Sequence, residues 1–358
     1  MPIHPKFLFV TCQVHAENAV KREVPARWPG TVFAYSRPGF LTFKLPVNQT
    51  FSPDFELGVI FARAYGFSLG KATGETPAER ARSAWMLAGD LPVSELHVWQ
   101  RDAAEPGYRG YEPGDTPLAA AAREVLLEHR PDLLKVVWER QRAAGDGGGT
   151  QGALVLDCVL VDEQEWWVGY HRVHSAPSSW PGGLMPANSP TSVVSRGYFK
   201  LGEALAWSGL PLQAGERVVE IGSAPGGATQ ALLERGLSVV GIDPAEMHPS
   251  IVGNPNFRQI RQRSKAVDKR EFVNVDWLCV DINLPPNYTL DAVEGALAQP
   301  GARFRGMLLT LKLRDWSLAA EVPGYLKRIR NWGFRQVRAR QLHHNRREIC
   351  VALSNADA

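Results

Sequence analysis

The sequence predicts a doubly wound α/β carboxyl-terminal half preceded by smaller α+β structure, and three observations carry that prediction. Beyond residue 195, short apolar runs alternate with helical segments, as parallel strands and their crossover helices do. Within that alternation, VVEIGSAPGGATQALLERG joins an apolar strand to a helix through a Gly/Pro loop. Before residue 173, β-branched and aromatic runs follow a strand-helix-hairpin order, which is α+β in character.

From the amino terminus, KFLFVTCQV (residues 6–14) reads as a strand, and TVFAYSRPGFLTFKL (31–45), broken at Pro38-Gly39, as a hairpin. Between them HAENAVKREVPARW starts as a helix and is expected to stop near Pro25, which has no N–H to donate. A strand at Glu95–Gln100 and a helix at Pro117–Glu128 follow. The segment GDGGGTQG (145–152) is a loop by composition, and ALVLDCVLVD and EWWVGYHRV form a strand pair around a polar turn. Residues 173–194 hold four prolines, two glycines and five serines, and are expected as an interdomain linker. The second half then runs through helix SRGYFKLGEALAWSG, strand RVVEIG, helix ATQALLERG and strands SVVGID and WLCVDI. A helix near 289–299, strand RGMLLTLKL, a helix over 319–332 and a final strand pair complete it.

Composition bounds the function classes. At about 150 residues per domain, 358 residues make two or three domains, and 44% hydrophobic residues exclude disorder as the main state. The formal charge is +3, yet residues 191–358 carry 22 Lys and Arg against 16 acids, so the basic half sums to +6 and the rest to −3. That asymmetry hints at an anionic partner. Cys12, Cys158, Cys279 and Cys350 are scattered with no CxxC pair and no nearby metal-ligand spacing, which excludes a disulfide framework and a structural zinc site as sequence-level readings. Scattered thiols fit a reducing cytoplasm, no apolar run reaches the roughly 18–20 residues of a membrane span, and the start is too short in apolar residues for a signal peptide. A cytoplasmic chain with no membrane partner is expected, its oligomeric state open.

The Gly/Pro loop holds Gly222, Ser223, Ala224, Pro225, Gly226 and Gly227. Small residues there let a ligand approach the backbone, and the following helix offers free N–H donors. The next strand ends in Asp243, placed to accept hydrogen bonds from ribose hydroxyls. The plainer alternative is a tight strand-to-helix turn with a solvated Asp243. The loop is neither GxGxxG nor followed by Lys-Ser/Thr, which argues against a dinucleotide site or a P-loop.

GSAPGG resembles the S-adenosylmethionine loop of FtsJ-type RNA ribose 2′-O-methyltransferases, and the likeness extends to that family's Lys-Asp-Lys-Glu tetrad. SRGYFKL supplies Ser195 and Lys200, WLCVDI supplies Asp281, LLTLKL supplies Lys312 and NRREICVAL supplies Glu348, in the expected order. The resemblance implies a Rossmann-like methyltransferase domain at 195–358, after a ferredoxin-like domain at 1–60, a THUMP-like RNA-binding domain at 61–172 and the linker at 173–194. It implies S-adenosylmethionine as cofactor, held by Ser195, Gly222, Ser223, Ala224, Pro225, Gly226, Gly227, Asp243 and Asp281, with no metal. It implies ribosomal RNA as partner, specifically a cytidine ribose in the peptidyl-transferase region of the large subunit.

The sequence departs from the family in the loop, which reads Ser223-Ala224 where the relatives usually have Ala-Cys, and at two further places. The family's adenine-facing acid falls here in FRQIRQRSKAVDKR, aligned at Arg263 or Ser264, and Asp268 would need a loop shift to serve. NLPPNY (283–288) differs locally and is expected to reshape the substrate mouth.

Within the tetrad, Lys312 is expected as the general base. An ordinary lysine is neutral only about once in 2,500 molecules at pH 7, so a base of this kind needs help from its surroundings. Lys200 is the neighbouring cation and could stabilise the developing oxyanion, while Asp281 and Glu348 orient the lysines and the hydroxyl. Lys327 to Arg347 holds eight Lys and Arg and no acid, which reads as an RNA-contacting stretch with Trp332 and Phe334 in the core. His343 and His344 read as structural. Two rivals stand beside the enzyme: the same reaction on another RNA, and an RNA-binding or ribosome-assembly factor that has lost catalysis.

Overall fold

The structure is a computed structural model describing residues 5–52, 55–131, 151–186 and 192–355. The chain divides into two compact units, residues 1–186 and 187–358. Residues 145–150 of the expected glycine-rich loop and 187–191 of the expected linker lie outside the described residues.

Unit 1 is built on one seven-stranded sheet. Its strands are β1 (Phe7–Thr11), β2 (Val32–Arg37), β3 (Phe40–Lys44), β4 (Ala64–Ala72), β5 (Glu95–Gln100), β6 (Leu154–Leu160) and β7 (Trp166–Arg172), in the order β2-β3-β1-β4-β7-β6-β5. Only β5 and β6 run parallel. β1 pairs with β3 on one side and β4 on the other, so strands from the expected 1–60 and 61–172 segments share this sheet.

The helices are α1 (Glu17–Arg27), α2 (Pro77–Ala88) and α3 (Pro117–Glu128). Thr76 and Thr116 cap α2 and α3 through their hydroxyls, each followed by proline at the first helical position, where its missing N–H is not needed. The expected stop of α1 at Pro25 is corrected: the helix continues to Arg27. Proline there removes one late hydrogen bond, while Val20 and Val24 stay buried and Trp28 N–H still donates to the Val24 carbonyl at 2.8 Å.

The segment after β7 is also corrected as a linker. Residues 173–186 form two short 3₁₀ turns, Ala176–Ser179 and Pro181–Gly183, docked on the sheet. Gly182 abuts Trp99, where a Cβ would sit 2.5 Å from the indole, and Gly183 abuts the Arg63 carbonyl. Arg63 itself is buried against Asp102 in a two-pronged ion pair and donates from Nε to the Gly182 carbonyl at 3.3 Å.

Unit 2 carries the strands β8 (Arg217–Ile221), β9 (Ser238–Ile242), β10 (Phe257–Ile260), β11 (Trp277–Val280), β12 (Gly306–Lys312), β13 (Gln336–Arg340) and β14 (Glu348–Ser354). Their order is β10-β9-β8-β11-β12-β14-β13, parallel from β10 to β12, with β14 antiparallel to both β12 and β13. The helices are α4 (Gly197–Ser208), α5 (Gly227–Leu233), α6 (Pro249–Val252), α7 (Pro286–Leu297) and α8 (Val322–Arg330). The doubly wound reading of this half therefore stands. β10 was not among the expected strands: FRQI is a half-exposed edge strand with no alternation to announce it. The order reverses between β8 and β11, which opens a ligand crevice at their carboxyl ends.

The Arg63–Asp102 pair gives unit 1 a direct test. Arg63→Met leaves a buried carboxylate without its cation, and urea unfolding should show a loss of about 3–5 kcal/mol. Adding Asp102→Leu should recover part of that loss; a single-variant loss below about 1 kcal/mol would contradict the buried lock.

Candidate active site

The four tetrad side chains meet in one ring of alternating charge. Lys200 comes from the first turn of α4, Asp281 follows the last residue of β11, Lys312 ends β12 and Glu348 begins β14. The antiparallel register places Lys312 directly opposite Glu348. Lys200 Nζ donates to Asp281 Oδ2 at 2.6 Å and to Glu348 Oε2 at 2.5 Å. Lys312 Nζ reaches Asp281 Oδ1 at 2.7 Å and Glu348 Oε1 at 3.1 Å. Arg196 adds a third cation, 4.0 Å from Glu348 Oε1.

The ring is asymmetric in burial. The Lys200 side chain is 8% exposed, Lys312 15% and Asp281 30%, so the open side is that of Lys312 and Asp281. Burial pushes the Lys200 ammonium down, but Asp281 and Glu348 outweigh it and raise it above the usual lysine range. Burial likewise pushes Asp281 up, and the two lysines outweigh it, holding its carboxyl at about 2.

The loop between β8 and α5 is shaped closely by the protein's own backbone. At Gly222, φ is +87° and a Cβ would lie 2.3 Å from the Asp281 carbonyl oxygen. Gly226, at φ +116°, abuts Ile251, and a Cβ on Gly227 would lie 2.2 Å from Ser195 Oγ. The Ala224-Pro225 peptide is cis. Ser223 is buried under the loop, its hydroxyl turned to Met247 Sδ at 3.6 Å, so it faces a ligand with backbone only.

Beside this loop lies a cavity of about 540 Å³, lined by Gly222, Asp243, Pro244, Arg263, Ser264 and Tyr288 among others. That volume suits a nucleoside-sized ligand. Asp243 Oδ2 accepts from Ala224 N–H at 3.2 Å and Oδ1 from Ala245 N–H at 2.8 Å, which fixes the carboxylate and leaves lone pairs toward the cavity. Ile282, Leu284, Tyr288 and Pro244 give apolar wall, so the donor set and shape fit S-adenosylmethionine. Asp268 is bound to Arg270 at 2.6 Å and is not among the lining residues, whereas Arg263 and Ser264 are. Of residues 283–288, Leu284 and Tyr288 line the cavity.

Two acids escaped the sequence reading. Glu203 on α4 accepts the backbone N–H groups of His343 and His344 at 2.7 and 2.8 Å, giving the histidine pair the neighbouring acid that chain proximity did not reveal. Glu220, on β8 directly beneath the glycine loop, is buried and accepts the Thr229 hydroxyl at 2.6 Å. Burial, with Asp281 and Asp243 nearby, pushes its carboxyl up to about 8. In the basic stretch, Arg328 is paired with Asp291 and Glu294, each at 2.6 Å, and Trp332 Nε1 donates to Glu294. Lys327, Arg330, Arg335, Arg338 and Arg347 are exposed around α8, edge strand β13 and the approach to β14.

The raised Glu220 carboxyl makes stability pH-dependent. The folded chain keeps a proton that the unfolded chain releases above an ordinary value of 4.5, so this group's contribution falls from there to about pH 8 and stays low beyond. Glu220→Gln has no proton to keep. Between pH 5 and pH 9 the parent should lose about 4 kcal/mol more than the variant in chemical unfolding, an upper figure from the shift alone. Parallel pH curves for the two would sink this assignment.

Comparison with known proteins places this geometry in a family. Residues 193–320 match the FtsJ-like methyltransferase family. Ribosomal RNA large subunit methyltransferase M of Halorhodospira halophila is 34% identical over 323 residues, covering 89% of this chain and 86% of its own. The proteins of the same name from Alkalilimnicola ehrlichii (27%, 74% of this chain, 70% of its own) and Laribacter hongkongensis (31%, 56% of each) are also similar. Among solved structures, TrmN from Thermus thermophilus aligns over 97% of this chain and 99% of its own, at 15% identity and TM-score 0.34. A fibrillarin pre-rRNA processing protein from Methanococcus jannaschii aligns over 56% of this chain and 82% of its own, at 12% identity and TM-score 0.36. With its FtsJ-like segment, its glycine loop and a relative matched along most of both chains, the chain belongs to the ribosomal RNA large subunit methyltransferase M family of S-adenosylmethionine-dependent methyltransferases.

Proposed function

We propose that the chain methylates the 2′-hydroxyl of a ribose in large-subunit ribosomal RNA, a cytidine in the peptidyl-transferase region, and that it works in the cytoplasm. The observation that carries this is the closed Lys200-Asp281-Lys312-Glu348 ring at the carboxyl ends of β11 and β12. Its Asp281 carbonyl touches the same Gly222 that lines the cofactor cavity. S-adenosylmethionine supplies a sulfonium-bound methyl group when bound.

The residues divide the remaining work. Lys312, the more exposed amine of the ring, takes the hydroxyl proton at Nζ. Lys200, held as an ammonium by Asp281 and Glu348, cannot be that base and acts as the fixed cation facing the developing oxyanion. Asp281 and Glu348 hold both amines in place and orient the hydroxyl. Asp243 binds the cofactor ribose, Ser195 and Gly222 to Gly227 shape the loop around it, and Arg263 and Ser264 stand at the adenine.

Unit 1, with its expected THUMP-like segment at 61–172, binds and orients the RNA. The rings of Tyr35 and Trp167 lie 5.3 Å apart on the sheet, with Arg37 against the first and Lys71 against the second, an arrangement suited to bases and phosphates. Within unit 2, the exposed cations around α8 and β13 are suited to phosphates in their own right.

Labelled methyl from S-adenosylmethionine should transfer to large-subunit RNA from cells lacking this gene, and nuclease digestion should place it on a ribose. Lys312→Ala should lower the rate about 10²–10⁴-fold with cofactor affinity unchanged. Asp243→Ala should instead weaken cofactor binding about 10- to 100-fold in calorimetry. Tight RNA binding without transfer to any RNA or ribosomal precursor would overturn the catalytic reading in favour of an assembly factor.

A further inference from the structure

Unit 1 holds a buried cluster that methyl transfer does not use. His97 on β5, Asp157 on β6 and His171 on β7 sit on three adjacent strands. His97 pairs directly with Asp157 in the parallel ladder, and His171 pairs with Val155, which shares a face with Asp157. One ring nitrogen of each histidine and one carboxylate oxygen all lie within 4.8 Å of one another. His171 Nδ1 is 2.6 Å from Asp157 Oδ2, and His171 Nε2 is 2.8 Å from the Ser178 carbonyl oxygen.

Two polar atoms of this cluster, His97 Nδ1 and Asp157 Oδ1, are buried without a hydrogen-bond partner. Buried polar groups almost always find partners, so two orphans in one cluster point to a missing third party. We propose that His97, Asp157 and His171 form a binding site for a single zinc-class divalent cation, with a water as fourth ligand. Two imidazoles and one carboxylate suit zinc, whereas calcium and magnesium take oxygen ligands throughout.

Ligands about 2.0–2.2 Å from a tetrahedral ion stand about 3.3–3.5 Å from each other, so the His171–Asp157 contact opens by less than about 1 Å. His171 keeps its Nε2–H donated to Ser178, the outer support that metal-bound histidines commonly have. All three ligands stand on strands, which hold them in place. The ion replaces the proton between His171 Nδ1 and Asp157 and releases it to solvent, one proton per ion bound. Affinity therefore falls as pH falls. Among the described residues, Glu95 and Arg123 also bear on the two histidines, the first favouring the ion and the second opposing it, and His174 lies near His171.

The other candidate grouping, Glu203 with His343 and His344, is a capping arrangement whose carboxylate already accepts two backbone N–H groups, and it serves as the control. The full chain, stripped with a chelator and dialysed, is titrated with Zn²⁺ against a chromophoric chelator, and with Co²⁺ to read coordination by visible absorbance. The site gives one ion per chain, the intense bands of four-coordinate Co²⁺, and an unfolding temperature raised by Zn²⁺. His97→Gln, which keeps a neutral side chain, should lower affinity at least about 100-fold and abolish the thermal shift, while His343→Gln changes neither. Should His97→Gln fail to fold, Asp157→Asn is read by the same measurements. Absence of binding at micromolar Zn²⁺, binding that survives His97→Gln, or binding lost only with His343→Gln would each overturn the proposal. None of these readouts depends on methyl transfer.

Discussion

Lys200 is the charge on which the catalytic half depends. Its ammonium lies almost out of reach of water, a position that is untenable without both Asp281 and Glu348 against it. Those acids come from the ends of β11 and β14, the lysine from α4, and the fourth charge from β12. Satisfying one buried cation therefore fixes three elements relative to each other, and Lys312 ties β12 to the same two acids. Stability and chemistry are not separate demands here, because the ring that balances Lys200 is the ring that presents Lys312.

The cofactor side is fixed by crowding rather than by charge. Gly222 passes the Asp281 backbone so closely that no side chain fits, and Gly227 passes Ser195 in the same way. The glycine loop is thus pressed between the tetrad strand and the start of α4. The cavity beside it inherits its shape from contacts within the protein, and Asp243, tied to the loop through Ala224 N–H, moves with it. A change at Gly222 would disturb the cavity and the ion ring together.

Much of this was legible in the sequence, and the reasons differ by element. Strands such as WLCVDI and RGMLLTLKL announce themselves because parallel strands buried on both faces are short apolar runs. β10 does not, because FRQI is an edge strand with nothing to bury on one side. The helix past Pro25 is invisible to local rules, since what carries it is the burial of Val20 and Val24. Taken singly, Lys200 and Glu348 look like surface charges; their order relative to the glycine loop is what singled them out, and the fold brings them into contact. Glu220 was missed for the opposite reason, a lone acid in an apolar strand being read past when burial is what changes its chemistry. His97, Asp157 and His171 lie far apart in the chain, and only strand register brings them together.

The antiparallel insertion of β14 between β12 and β13 has a consequence for the ion ring. Lys312 and Glu348 meet because one strand ends where the other begins, and the ladder counts residues in twos across the pleat. A slip of β14 by one residue against β12 would turn Glu348 to the far face and bring Arg347 or Ile349 opposite Lys312. Seven ladder pairs oppose such a slip, so the same pairing that closes the sheet also decides which side chain meets Lys312.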